Sequence, residues 1–143
     1  VPVSMFEQFA GVFHAFASLR TRIADAVADK RPRSAALLLY GQNIDSPSTV
    51  LGLVRDQASQ DPALAYVTFC SAQQLFIGVE AEYPRLAQEL PLQRNESIAL
   101  LDHTDALRQG LLDSASPVDR KDLEGFLDWF DRHFAEAELE VLA

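Results

Sequence analysis

Several groups of residues in this chain are of types that do chemistry. Cys70 is the one thiol, and His14, His103 and His133 are the imidazoles. A thiol attacks as its thiolate, and it needs a neighbouring base and partial exposure to form one. The histidines fall on three separate elements, and no spacing ties any of them to Cys70. The bland reading of Cys70 is therefore a small buried hydrophobe. Asp102, His103 and Asp105 form one cluster of metal-ligand types, and His133, Glu136 and Glu140 form another. Neither has the spacing of His-Glu-x-x-His or of a calcium loop. They read as a polar turn tip and a solvated helix face, so no metal is expected. Gly41 begins a polar stretch ahead of an apolar-periodic segment, the context of anion binding at a helix N-terminus. Nucleotide loops need several glycines where this one has a single glycine, and Asp45 would repel a phosphate. No cofactor is expected, and no residue is singled out as catalytic.

These residues must be positioned by the elements around them. The organising stretch is Ala35 to Val54, AALLLYGQNIDSPSTVLGLV. Ala35 to Tyr40 is a short, unbroken apolar run between Pro32 and Gly41, which predicts a strand buried on both faces. Gln42 to Ser48 is rich in turn formers, and Asp45, Ser46 or Ser48 could cap a helix carrying Val50, Leu51, Leu53 and Val54. Upstream, Phe6, Phe9, Phe13, Phe16, Leu19, Ile23 and Val27 recur at steps of three and four, predicting a helix over 5–30. Ser4 and Glu7 have capping-box spacing, Lys30 and Arg31 suit the negative end of the dipole, and Pro32 ends the segment.

Ala63 to Cys70, ALAYVTFC, reads as a second strand on its β-branched and aromatic content. Gly78 and Pro84 break up residues 73–90, giving a loop or short helix and then a helix over Tyr83 to Leu90. Ser97 to Leu101 and Ala106 to Leu112 read as a hairpin of third and fourth strands. Leu123, Phe126, Leu127, Phe130 and Phe134 make one stripe of a helix over 118–138. The charged residues between them read as an ordinary solvated face. The expected fold class is α/β: a three-layer sandwich, a mixed sheet of about four strands flanked by helices, with a long N-terminal helix.

With 143 residues, residues 1–143 read as a single domain with room for a true core. Val1 to Ser4 read as a remnant ahead of the native start or as disordered. A net charge of −9 argues against nucleic acid as a partner, since phosphate binding needs a basic surface. One cysteine excludes an internal disulfide framework. No run approaches about 20 consecutive apolar residues, and the first residues lack a signal-peptide layout, so no membrane partner is expected and the cytoplasm is the expected location.

The order of these elements resembles the thioredoxin-like family. YPRLAQELPLQRNESIALLDHTDALRQGLLDSASPVDRKDLEGFLDWF is similar to the C-terminal half of that fold, and LLLYGQNIDSPS occupies the place of its strand and active-site loop. The resemblance covers roughly residues 34–135. Where the family carries Cys-x-x-Cys, this chain has Asp45-Ser46-Pro47-Ser48, and near Glu96 it lacks the family's cis-proline. A non-proline cis bond costs about 3 kcal/mol, so an ordinary trans bond is expected there. Without the thiols there is no dithiol exchange. The resemblance thus implies a redox-inactive member that works as a protein-binding module, adaptor or assembly chaperone rather than an enzyme. It implies partner contacts at Asn43, Ile44, Asp45, Ser46, Pro47 and Ser48, with Arg94, Asn95 and Glu96 beside them. Phe6, Phe9 and Phe13 are the expected contacts of a homodimer, because the first helix exceeds what the fold needs. The alternative is a small-molecule or nucleotide-binding enzyme on another α/β scaffold, distinguished by a parallel sheet in place of the hairpin at 97–112.

Overall fold

The computed structural model describes residues 7–41 and 47–142, with backbone alone for 47–49. Among the described residues the protein is 88% helical and has no strand. The expectations of an α/β sandwich and of a thioredoxin-like fold are therefore corrected, and with them the hairpin at 97–112 and the parallel-sheet alternative. Among the described residues seven α-helices are present: α1 (Ala10–Ala28), α2 (Pro32–Tyr40), α3 (Pro47–Gln57), α4 (Pro62–Glu82), α5 (Pro91–Ser97), α6 (Thr104–Ser114) and α7 (Pro117–Leu142). Two 3₁₀ segments, Pro84–Gln88 and Ile98–Asp102, join α4 to α5 and α5 to α6.

Each expected strand is a helical segment, for a local reason. Ala35 to Tyr40 lies in α2, where Ala35, Ala36, Leu39 and Tyr40 are buried while Leu37 is exposed. That is a one-sided helical pattern, and Ala and Leu are strong helix formers. Ala63 to Cys70 lies in α4. Burial there overrides the weak β-preference of Tyr66, Val67, Thr68 and Phe69. Ser97 to Leu101 closes α5 and forms most of the second 3₁₀ segment, and Ala106 to Leu112 is the middle of α6.

The prolines are starters. Pro32, Pro47, Pro62, Pro84, Pro91 and Pro117 each open a helical segment. A first-turn position suits proline, because its N–H would be unpaired there and its fixed φ is already helical. At α4 the side chain of Asp61 accepts from the Leu64 N–H at 3.1 Å, completing the start. The end of α1 is a backbone device. Arg31 N–H donates to Ala26 O (2.8 Å) and Lys30 N–H to Val27 O (3.0 Å), with Lys30 at φ 58°. This is the Schellman arrangement, with lysine where glycine is usual. Gly78 does not interrupt α4, which runs through it to Glu82.

α4 is the central helix. It packs against α1, α3, α6, α7 and both 3₁₀ segments. Ala65, Phe69 and Ala72 meet Val50, Val54 and Leu100. Tyr66 and Val67 meet Phe9, Phe13, Leu111, Leu127 and Phe130. Leu75, Phe76 and Val79 meet Leu19, Ile23, Ala36, Leu39 and Tyr40. A helix covered on so many sides needs apolar residues all round. That explains why α4 is long and apolar enough to span a membrane by length and composition, with half of its apolar window buried in the fold.

Candidate protein-docking groove

Two polar ties hold helices around α4, and both are fully partnered. Tyr40 Oη on α2 donates to Glu80 Oε2 on α4 at 2.5 Å. Arg94 on α5 grips the same carboxylate with two bonds, Nε to Oε2 at 3.0 Å and Nη2 to Oε1 at 3.1 Å. Burial alone would raise the Glu80 carboxyl. The bonds from Arg94 and Tyr40 outweigh it and hold the carboxyl below its ordinary value. Burial, and then the bond to Glu80, push the Tyr40 phenol far up, so it stays a donor. At the other half of α4, Tyr66 Oη donates to Asp131 Oδ1 on α7 at 2.5 Å. Arg108 on α6 donates to Asp131 Oδ2 at 2.8 Å and also to Asp128. Bidentate and charge-assisted contacts of this kind fix geometry between helices.

Cys70 sits beside the second tie, on α4 rather than at a strand end. Burial, and next the charge of Asp131, push its thiol up to about 12. It is protonated near neutral pH, the opposite of an activated nucleophile. The histidines lie elsewhere. His14 is exposed. His103 Nδ1 donates to Ala99 O at 2.6 Å. His133 stacks on Trp129 with ring centroids 5.4 Å apart, and its Nδ1 is 3.3 Å from Glu136 Oε2. Among the described residues, no three His, Cys, Asp or Glu side chains gather as a metal ion would require.

A feature suited to binding is a groove between α1, α4 and α7. The three helices lie side by side in the same direction. Phe9 meets Phe126, and Phe13 meets Phe134, so partners rise together along α1 and α7. Phe13 shares a cluster with Tyr66 and Val67, and Leu19 shares one with Leu75 and Phe76, so α1 and α4 also rise together. Between them lies a cavity of about 400 Å³. Phe13, Phe16, Leu75 and Phe134 contribute its apolar lining. Its margin carries large apolar side chains left in solvent: Ile77 is 45%, Leu139 72% and Leu142 38% exposed.

Polar side chains are few, and among the described residues Ser71, Gln74 and Glu138 have no side-chain hydrogen bond. Arg20 lies against Gly78, where a Cβ would come within 3.2 Å of its Nη1, and it reaches Glu82 Oε2 at 3.3 Å. Glu138, half-buried on α7, makes no hydrogen bond or ion pair among the described residues. Burial raises its carboxyl above the ordinary value, and the charge of Arg20 offsets this only in part. Ser71 Oγ, which also lines the groove, is buried without a hydrogen-bond partner among the described residues.

The residues expected to bind are placed as follows. Asn43, Ile44, Asp45 and Ser46 lie outside the described residues. Pro47 and Ser48 belong to the first turn of α3, and α3 packs against α5. Arg94, Asn95 and Glu96 are on α5, not on a loop. Arg94 is committed to Glu80, and Asn95 and Glu96 are exposed. Phe9 and Phe13 are buried inside this chain against Phe126 and Phe134, and Phe6 lies outside the described residues. The groove combines residues of three helices far apart in sequence. Its one local signal is the apolar pair Leu139 and Leu142 on the polar last turns of α7.

No protein-family model, no curated protein and no solved structure matches this chain.

Proposed function

We propose that this protein is a non-catalytic, all-helical binding module that holds a partner protein in the groove between α1, α4 and α7. The observation that carries the reading is the contiguous set Ile77, Leu139 and Leu142, exposed at the margin of an apolar groove. Single exposed apolar residues are ordinary, but several around one concavity mark a contact site. Supporting the non-catalytic side, burial pushes the Cys70 thiol up, and among the described residues no histidine is bonded to it. The two tyrosine–carboxylate–arginine ties join neighbouring helices, which suits a structural part. A single free thiol suits the reducing cytoplasm.

The test is affinity capture from the source cell's lysate with three baits: wild type, Leu139→Asp with Ile77→Asp, and Asn43→Ala with Asp45→Ala. A stoichiometric partner held by wild type and by the Asn43/Asp45 variant, and lost from the groove variant, is the expected result. Loss from the Asn43/Asp45 variant alone would move the contact to those residues and overturn the groove. Thermal melts of each bait show that lost capture is not lost folding.

A further inference from the structure

Resting on that docking reading, we infer that the groove's occupant is an amphipathic helix that presents an apolar face to α1, α4 and α7 and a lysine or arginine to Glu138. The groove has the length for it. Its lining runs from Phe134 to Leu142 on α7, from Phe13 to Arg20 on α1 and from Ser71 to Gly78 on α4. At 1.5 Å per residue these edges span about 10–12 Å, the reach of three anchors spaced i, i+4 and i+7. The edges are themselves helical, so a fourth helix can lie along them in the same kind of packing.

Charge selects among occupants. Glu138 faces the groove half-buried and without an ion pair among the described residues, because the nearby Arg20 reaches to Glu82. A half-buried carboxylate gains from a cation brought to it in a site that the partner desolvates. The chain as a whole carries −9, which draws a basic partner in from a distance. The same features count against other occupants. A second copy would add another −9 to the assembly, and anionic lipid would be repelled by the chain's net charge.

The probes are three labelled 18-residue helical peptides sharing one leucine face, with lysine, glutamine or glutamate flanking it, read by fluorescence anisotropy. The lysine peptide should bind wild type at least tenfold more tightly than the glutamine peptide, and the glutamate peptide should bind least. Glu138→Gln should bring the lysine peptide to the level of the glutamine peptide, and Glu138→Lys should invert the order. Leu139→Asp with Ile77→Asp should abolish all three. If the three peptides bind equally and the groove variant loses them, the docking reading stands and the basic partner is wrong. If the lysine peptide binds regardless of Glu138, the attraction is that of the net charge alone and the inference falls. If no peptide binds up to millimolar concentration, the docking reading and this inference fall together. Elution as a dimer that the groove variant splits would identify a second copy as the occupant and also overturn it.

Discussion

Tyr66 and Asp131 are 65 positions apart and joined by a hydrogen bond of 2.5 Å, phenol to carboxylate, which pins the middle of α7 to the first half of α4. Arg108 completes the tie from α6. A bond to a charged acceptor contributes more than a neutral one, but Asp131 is half-exposed, so solvent screens it. Tyr66→Phe is expected to destabilise the protein by about 1.5 kcal/mol in urea unfolding. In a double-mutant cycle with Asp131→Asn the two losses should fall short of adding, since both remove one interaction. Strict additivity would show that the hydroxyl does not act through Asp131.

Glu80 predicts an acid limit to stability. Its carboxyl is held below the ordinary value of 4.5 in the fold. The stabilisation is therefore complete above about pH 4.5 and is lost as pH falls through the lower, folded value. Wild type should lose stability between about pH 4.5 and 2 more steeply than Glu80→Gln, measured by chemical unfolding across that window. Glu138 has the opposite sign. Its carboxyl is raised in the fold, so its charged form is a cost that grows as pH rises through and above 4.5. Glu138→Gln should be more stable than wild type at pH 7 and lose that advantage below pH 4. Parallel profiles for wild type and both variants would contradict both assignments.

Glycine position predicts contrasting substitutions. At Gly41, which ends α2, an added Cβ would lie 2.3 Å from Leu37 O, a backbone atom that cannot step aside. Gly41→Ala should cost roughly 2 kcal/mol or more by forcing the helix end to shift. Gly110 lies inside α6 with nothing within 4 Å of a Cβ. Gly110→Ala should stabilise by about 0.5–1 kcal/mol through helix propensity. Melting temperatures for the two variants should move in opposite directions, and a shared direction would refute the assignment of Gly41 to a crowded helix end.

Much of the helical content was readable in advance. Of the stripe, Phe13, Leu19 and Ile23 are on the buried face of α1 with Phe9 buried just ahead of it, and Leu123, Leu127 and Phe130 are on the buried face of α7. Amphipathic helices announce themselves because a one-sided environment imposes a 3.6-residue period. The middle of the chain did not, because α4 buries residues against several helices around its axis and shows no single apolar stripe. A short apolar run such as Ala35 to Tyr40 suits a buried strand and a buried helix alike. The signal that distinguishes them was present in another form, in six prolines that each open a helical segment.

The sequence by itself determined the amphipathic first and last helices, the acidic charge and the lack of a local catalytic or metal-binding spacing. Only the tertiary structure decided the groove. Phe13, Ile77, Glu138 and Leu139 become neighbours because α1, α4 and α7 are carried side by side by the segments between them. That juxtaposition depends on which faces three separate helices bury together. Local residue patterns carry the preference of a face to be buried, and packing decides what it is buried against.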